Sequence, residues 1–167
     1  VPMNKIRKII SGFSENTINM SEGFIAKLQK QASTYLSSFI EDVKKEIYKQ
    51  QQLYWDDTVI MINTKKACLR FYGNEKLALY TAHEHKNEEG ITEDGILNTL
   101  DKKVIVMHDH NRINYKYDYQ NIECNIHLIR DLEKCHMNTN HVWCKKFKEL
   151  VQTIIHDKKT YIEKGYD

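Results

Sequence analysis

The chain has 167 residues, 41% of them hydrophobic, which is enough for one core of ordinary size with a flanking appendage. Lys+Arg number 25 against 23 Asp+Glu, a net charge of +2, so the global balance excludes a uniformly basic nucleic-acid binder and any basic surface has to be local. No apolar stretch approaches membrane-spanning length, Val1-Pro2-Met3-Asn4-Lys5 lacks the apolar region of a signal peptide, and Cys68, Cys124, Cys135 and Cys144 are too scattered for a secreted disulfide framework. These features predict a cytoplasmic protein with reduced thiols and no membrane partner.

From Ile6 to about Gln52 apolar residues recur at helical spacing, first Ile6, Ile9, Ile10 and Phe13, then Phe24, Leu28, Ala32, Tyr35, Leu36, Phe39, Val43 and Ile47. A turn is expected near Asn16 to Asn19, and Ser21 supplies an N-cap for one long amphipathic helix from Phe24. Its apolar face could pack on a sheet or pair with another chain. Residues 1–52 therefore form an N-terminal helical segment, and 53–167 a second region. The second region opens with β-prone runs at Leu53 to Trp55, Val59 to Asn63, Ala67 to Tyr72 and Leu77 to Ala82, with Gly73-Asn74 as a turn. His83 to Gly90 is a polar loop, after which Thr92-Glu93-Asp94 starts a brief helix through Leu100. A buried strand at Val104 to His108, a Tyr-rich passage, a short strand at Ile122 to Cys124, and helices from Ile126 to Cys135 and Thr139 to Ile162 complete the chain. Antiparallel strands followed by strand-helix alternation suit an α/β fold, a ribonuclease H-like mixed sheet flanked by helices.

Two carboxylates stand out. Asp109 follows the apolar run Val104-Ile105-Val106-Met107, where a strand-end acid can reach a cleft without entering the core, and Asp56 sits in Trp55-Asp56-Asp57-Thr58. If they converge, their oxygens suit Mg²⁺ and phosphodiester chemistry. The competing reading makes Asp56-Asp57 a turn pair and Asp109 a helix cap. In Cys124-Asn125-Ile126-His127-Leu128-Ile129-Arg130, His127 and Arg130 share a helical face and could contact phosphate, although a buried structural histidine and a surface ion pair fit the same pattern. Arg112 with Lys116 is one of several basic patches that could meet nucleic acid or simply be solvated. Cys124 and His127 with His141 and Cys144 have the ligand types of a tetrahedral zinc, which would mark a non-catalytic zinc-containing or helical interaction module. The histidines of His83-Glu84-His85 and His108-Asp109-His110 alternate, and Tyr115, Tyr117 and Tyr119 could stack on bases or pack a sheet face.

Several motifs in order resemble the insertion sequence 66 family of bacterial transposases. Met20-Ser21-Glu22-Gly23-Phe24-Ile25 is similar to the family's Ser-Glu-Gly-Thr-Ile, and Asp56-Asp57-Thr58 to its Asp-Glu-Thr. Met107-His108-Asp109-His110 with Tyr115-Lys116-Tyr117 resembles its second-aspartate segment, and Cys124-Asn125-Ile126-His127-Leu128-Ile129-Arg130-Asp131-Leu132 its Cys-Asn-Ala-His-x-x-Arg-Glu-Leu. Trp143 matches a tryptophan of the next helix.

The resemblance implies an Asp-Asp-Glu transposase core acting on transposon ends and target DNA in bacterial cytoplasm. It makes Asp56 and Asp109 the first two acids, holding Mg²⁺ (or Mn²⁺), with His127, Arg130, Arg112 and Lys116 lining the cleft or contacting DNA. Asp57 stands where the family has Glu, which keeps it as an alternative ligand. The family's Asp-Asn-Asn-x-x-Glu-Arg motif is missing from this sequence, and Glu133, Glu149 and Glu163 lack its surroundings. The resemblance therefore implies a core truncated before its third acid, with a two-metal site only if that acid is supplied, inactive alone, and capable of self-association.

Overall fold

The computed structural model describes residues 2–166. The chain divides into two compact units, Val1–Lys45 and Glu46–Asp167.

The first unit is helical: α1 (Met3–Phe13), α2 (Glu22–Tyr35) and most of α3 (Ser37–Tyr48). Ser21 caps α2 as expected, its hydroxyl oxygen accepting from the Phe24 amide at 3.1 Å. The single long helix expected from Phe24 is instead two, broken at Leu36. Hydroxyl side chains explain the break, because Thr34 bonds back to the Lys30 carbonyl and Ser37 takes the Thr34 carbonyl, both of which compete with the helix ladder.

In the second unit, β1 (Gln52–Ile62), β2 (Lys65–Gly73) and β3 (Ala78–His83) form an antiparallel meander. β1 runs without interruption through Asp56 and Asp57, which overturns both the expected pair of shorter strands and the turn reading of these acids. Its hairpin to β2 turns at Asn63 and Thr64, both with positive φ (48° and 66°), the backbone that a tight two-residue turn requires. The turn into β3 begins at Gly73, where a Cβ would lie 2.2 Å from the Leu77 carbonyl oxygen, and Asn74 Oδ1 accepts from the Lys76 and Leu77 amides.

The helix after β3 comes earlier than expected. α4 (Glu88–Asp94) is capped by Asn87, whose side chain accepts from the Gly90 amide, and it ends at Gly95 in the left-handed region (φ 70°). Thr92, Glu93 and Asp94 thus close the helix rather than start it, because Asn87 and two first-turn glutamates favour the upstream start.

β4 (Ile105–His108) then runs parallel to β1, and β5 (Gln120–Glu123) parallel to β4, giving the order β3-β2-β1-β4-β5. Three antiparallel strands extended by two parallel ones make the ribonuclease H-like mixed sheet that the sequence implied. The crossover from β4 to β5 holds a 3₁₀ turn (Arg112–Lys116), so Tyr115 lies in that turn, and Tyr117 and Tyr119 lie between it and β5 rather than on a sheet face. α5 (Asn125–Thr139) and α6 (Val142–Glu163) form a helical hairpin closed through Asn140 (φ 54°), with Leu132, Cys144 and Val151 buried.

Strand alternation gives the sheet two unlike faces. Leu53, Trp55 and Asp57 on β1 share a face with Arg70 and Tyr72 on β2 and with Val106 and His108 on β4, and all seven side chains are buried. α4 packs here so closely that a Cβ on Gly90 would meet Arg70 and His83 at 3.0 Å. Tyr54, Asp56 and Met107 point to the other face.

Candidate functional site

Parallel pairing of β1 with β4 brings the two predicted acids together. The register pairs Leu53 with Val106 and Tyr54 with Met107, and Asp56, two residues further along β1, lies in one cleft lining with Asp109, the residue that follows β4. Neighbouring strands lie about 4.8 Å apart, so carboxylates carried on or just past adjacent strands can reach one ligand. They open on one cleft of about 310 Å³, whose lining includes Tyr54, Asp56, Met107, Asp109, Cys124 and His127.

Asp56 keeps 49% of its side chain exposed. Its Oδ1 accepts from the Asp57 amide at 2.9 Å and lies 3.8 Å from His127 Nε2. Among the described residues no Lys or Arg comes within 4.0 Å of it. His127 stands in the first turn of α5, and its buried Nδ1 has no hydrogen-bond partner among the described residues.

Asp109 is held by a residue that carried no sequence signal. Asn114, buried on the 3₁₀ turn, donates through Nδ2 both to the Asp109 carbonyl oxygen (2.8 Å) and to its Oδ1. Oδ1 also accepts from the Asn111 amide at 3.2 Å. Asn114 is anchored in turn by Tyr119, whose hydroxyl donates to its carbonyl at 2.9 Å. Burial pushes the Tyr119 phenol well above its ordinary range and keeps it a neutral donor. Behind this loop, His108 is buried with Nδ1 on the Asp109 carbonyl and Nε2 on Asn121 Oδ1 at 2.7 Å, while His110 Nε2 reaches Asp131 Oδ2 on α5 at 2.6 Å. The two histidines flanking Asp109 are therefore spent on separate anchors and do not converge on a metal.

Asp57, the alternative ligand, lies on the opposite face. Its Oδ1 is 3.0 Å from the Nε of Arg70, a side chain with 0% exposure, and Lys86 Nζ is 3.6 Å from Oδ2. Arg70 continues to Asp94 Oδ2 (3.2 Å) and the Asn87 carbonyl (3.2 Å). Tyr72 and His83 also reach the Asp94 carboxylate, at 2.8 and 2.7 Å. Burial opposes the charge on Arg70, but Asp57 and Asp94 outweigh it and hold the guanidinium above its usual range. Such a cluster fixes geometry, since an unpaired member would leave a buried charge uncompensated.

The predicted basic residues lie outside the cleft lining. Arg112 and Arg130 are exposed, and Lys116 pairs with Glu88. Nor does a third acid line the cleft among the described residues. Glu133 is bound by Lys148, whose ammonium holds its carboxyl below the usual range, and Glu149 and Glu163 pair with Lys145 and Lys159. The zinc arrangement is not formed: among the described residues no group of three or more His, Cys, Asp or Glu side chains is gathered to hold a metal. Cys124 and His127 face the cleft, whereas Cys144 is buried with its thiol on Cys135.

The family model described as Transposase IS66 family matches residues 1–164. No curated protein matches the chain. Among solved structures, the HTLV-2 integrase catalytic core domain in complex with magnesium (trimeric form) aligns at 9% identity with a TM-score of 0.34, covering 60% of this chain and 81% of that one.

Proposed function

Starting from the fact that this chain belongs to the IS66 transposase family, we propose that it is the catalytic core of a DNA transposase in which Asp56 and Asp109 hold a divalent cation, Mg²⁺ or Mn²⁺. The observation that carries the reading is that both carboxylates line one cleft, Asp56 from within β1 and Asp109 from just past the end of β4. The donor set fits a hard cation, since it offers carboxylate oxygens and Asp56 has no Lys or Arg partner among the described residues. When bound, such an ion polarises a phosphoryl oxygen and acidifies water for in-line attack.

The protein's own part is to bind and orient. Asn114 fixes the rotamer of Asp109, and the Arg70 cluster fixes the strand from which Asp56 projects. His127, beside Asp56, is placed to donate to a phosphate oxygen of transposon-end or target DNA. Arg130, Arg112 and Lys116, outside the cleft lining, contribute contacts to the backbone of flanking DNA. A third acid has to come from outside these residues before a two-metal site forms, so this chain alone binds DNA and metal without cutting. Self-association runs through the N-terminal helices, where Phe24, Tyr35, Leu36 and Phe39 are exposed.

Electron paramagnetic resonance of Mn²⁺ tests this proposal, with duplex binding followed in parallel by fluorescence anisotropy. Saturable Mn²⁺ uptake that weakens at least tenfold in both Asp56→Asn and Asp109→Asn supports it. Uptake indifferent to either change, or no salt-sensitive DNA binding, would overturn it.

A further inference from the structure

Cys135, on α5, and Cys144, in the first turn of α6, meet across the helical hairpin with their sulfurs 3.1 Å apart. Both are free thiols. Cys144 has 0% exposure, whereas Cys135 is half-buried. The approach is built into the hairpin turn: Thr139 Oγ1 donates to the Cys135 carbonyl (2.8 Å), the Asn140 amide to the His136 carbonyl (2.8 Å), and the His141 amide to Thr139 Oγ1 (3.3 Å). A disulfide needs its sulfurs about 2.05 Å apart, so closure asks for roughly 1 Å of side-chain movement. The other two cysteines have no sulfur neighbour among the described residues: Cys68 is buried beside Asp57, and Cys124 lines the cleft.

We propose that Cys135 and Cys144 are an oxidisable dithiol that closes to an intrachain disulfide by exchange with a small-molecule disulfide of the glutathione class. The Cys135 thiolate attacks one sulfur of the small disulfide, breaking its S–S bond and releasing one thiolate that takes a proton from solvent. Cys144 then gives its proton to solvent and attacks the Cys135 sulfur, breaking the mixed S–S bond and releasing the second small thiolate, which takes a proton from solvent. The two protein thiols are oxidised and the one small disulfide is reduced to two thiols. Exposure sets the order, because only Cys135 meets solvent, and burial beside Cys135 pushes the Cys144 thiol up to about 11. The resulting bond would pin α6 to the helix whose first turn carries His127 beside Asp56. This inference stands apart from the metal proposal, since neither sulfur lines the cleft.

The test is incubation of the intact chain with oxidised glutathione, followed by thiol counting, intact mass and tryptic mapping. Lys134 and Lys145 place both cysteines on one tryptic peptide, residues 135–145. The expected result is a drop from four free thiols to two, with that peptide lighter by two hydrogens. Cys144→Ser should retain glutathione on Cys135, and Cys68→Ser should close like the parent. A parent chain that keeps four thiols, carries lasting glutathione on Cys135, or links Cys135 between copies would overturn the proposal.

Discussion

Asp56 and Asp57 are consecutive residues of one strand and lie on opposite faces of the sheet: Asp57 is buried 3.0 Å from Arg70 Nε, while Asp56 opens on the cleft shared with Asp109. The period-two alternation of a strand turns two identical side chains into a structural acid and a candidate ligand. Their substitutions should separate accordingly. Asp57→Asn should cost roughly 3 kcal/mol of stability by leaving buried Arg70 short of a partner. Asp56→Asn should change stability by no more than about 0.5 kcal/mol. Urea denaturation of the two variants checks this.

Asn114 is predicted to govern the metal affinity of Asp109 without touching the metal. Removing an outer partner of this kind typically weakens binding about 10- to 100-fold. Asn114→Ala should therefore lower Mn²⁺ affinity in that range while Asp56 remains intact, and Asn114→Gln, which keeps the donor on a longer arm, should restore part of it. Mn²⁺ titration of both variants checks the ranking.

Alkaline stability should fall because of Tyr72. Burial, with Asp94 adding, holds its phenol well above the ordinary value of 10.0 in the folded protein. Below pH 10 both folded and unfolded chains keep the proton, and the stability is fully present. Above it the unfolded chain releases the proton and the folded one does not, so stability declines by up to about 1.4 kcal/mol per pH unit for this group. Tyr119, shifted the same way, adds to the slope. Tyr72→Phe should flatten the decline between pH 10 and 11 by about one proton's worth, measured by denaturation at each pH.

The proposed DNA role gives Arg130, Arg112 and Lys116 contacts to the DNA backbone. Each alanine substitution should weaken duplex binding evenly across sequences and reduce the salt dependence by about one unit of slope. Anisotropy titrations over a salt series measure it. Lys116 should show the smallest effect, because it is already paired with Glu88.

Much of the fold was legible because its signals are local. The β-branched run at Val104 to His108, the Ser21 cap and the helical periods of α5 and α6 each depend on neighbours in sequence. The break at Leu36 was hidden because hydroxyl competition for carbonyls leaves the apolar period unchanged. The early start of α4 was missed because Asn87 lies in a charged stretch that reads as loop. The continuity of β1 through two acids was illegible since it depends on Arg70, a residue 13 positions away that neutralises Asp57 from the next strand. Asp56, Asp109 and His127 could be named in advance as candidates by residue type and spacing together with the family resemblance of the motifs around them. Asn114 could not, because a lone asparagine five residues after an aspartate has no periodicity to betray it.

Asp56 and Asp109 are proposed to share one divalent cation. Anomalous diffraction from a Mn²⁺-soaked crystal tests this most directly. A single strong manganese peak is expected in the cleft beside His127, with an oxygen from each carboxylate in its coordination sphere. A cleft without manganese while the ion binds elsewhere, or manganese held by Asp57 and Asp94 on the opposite face, would contradict it.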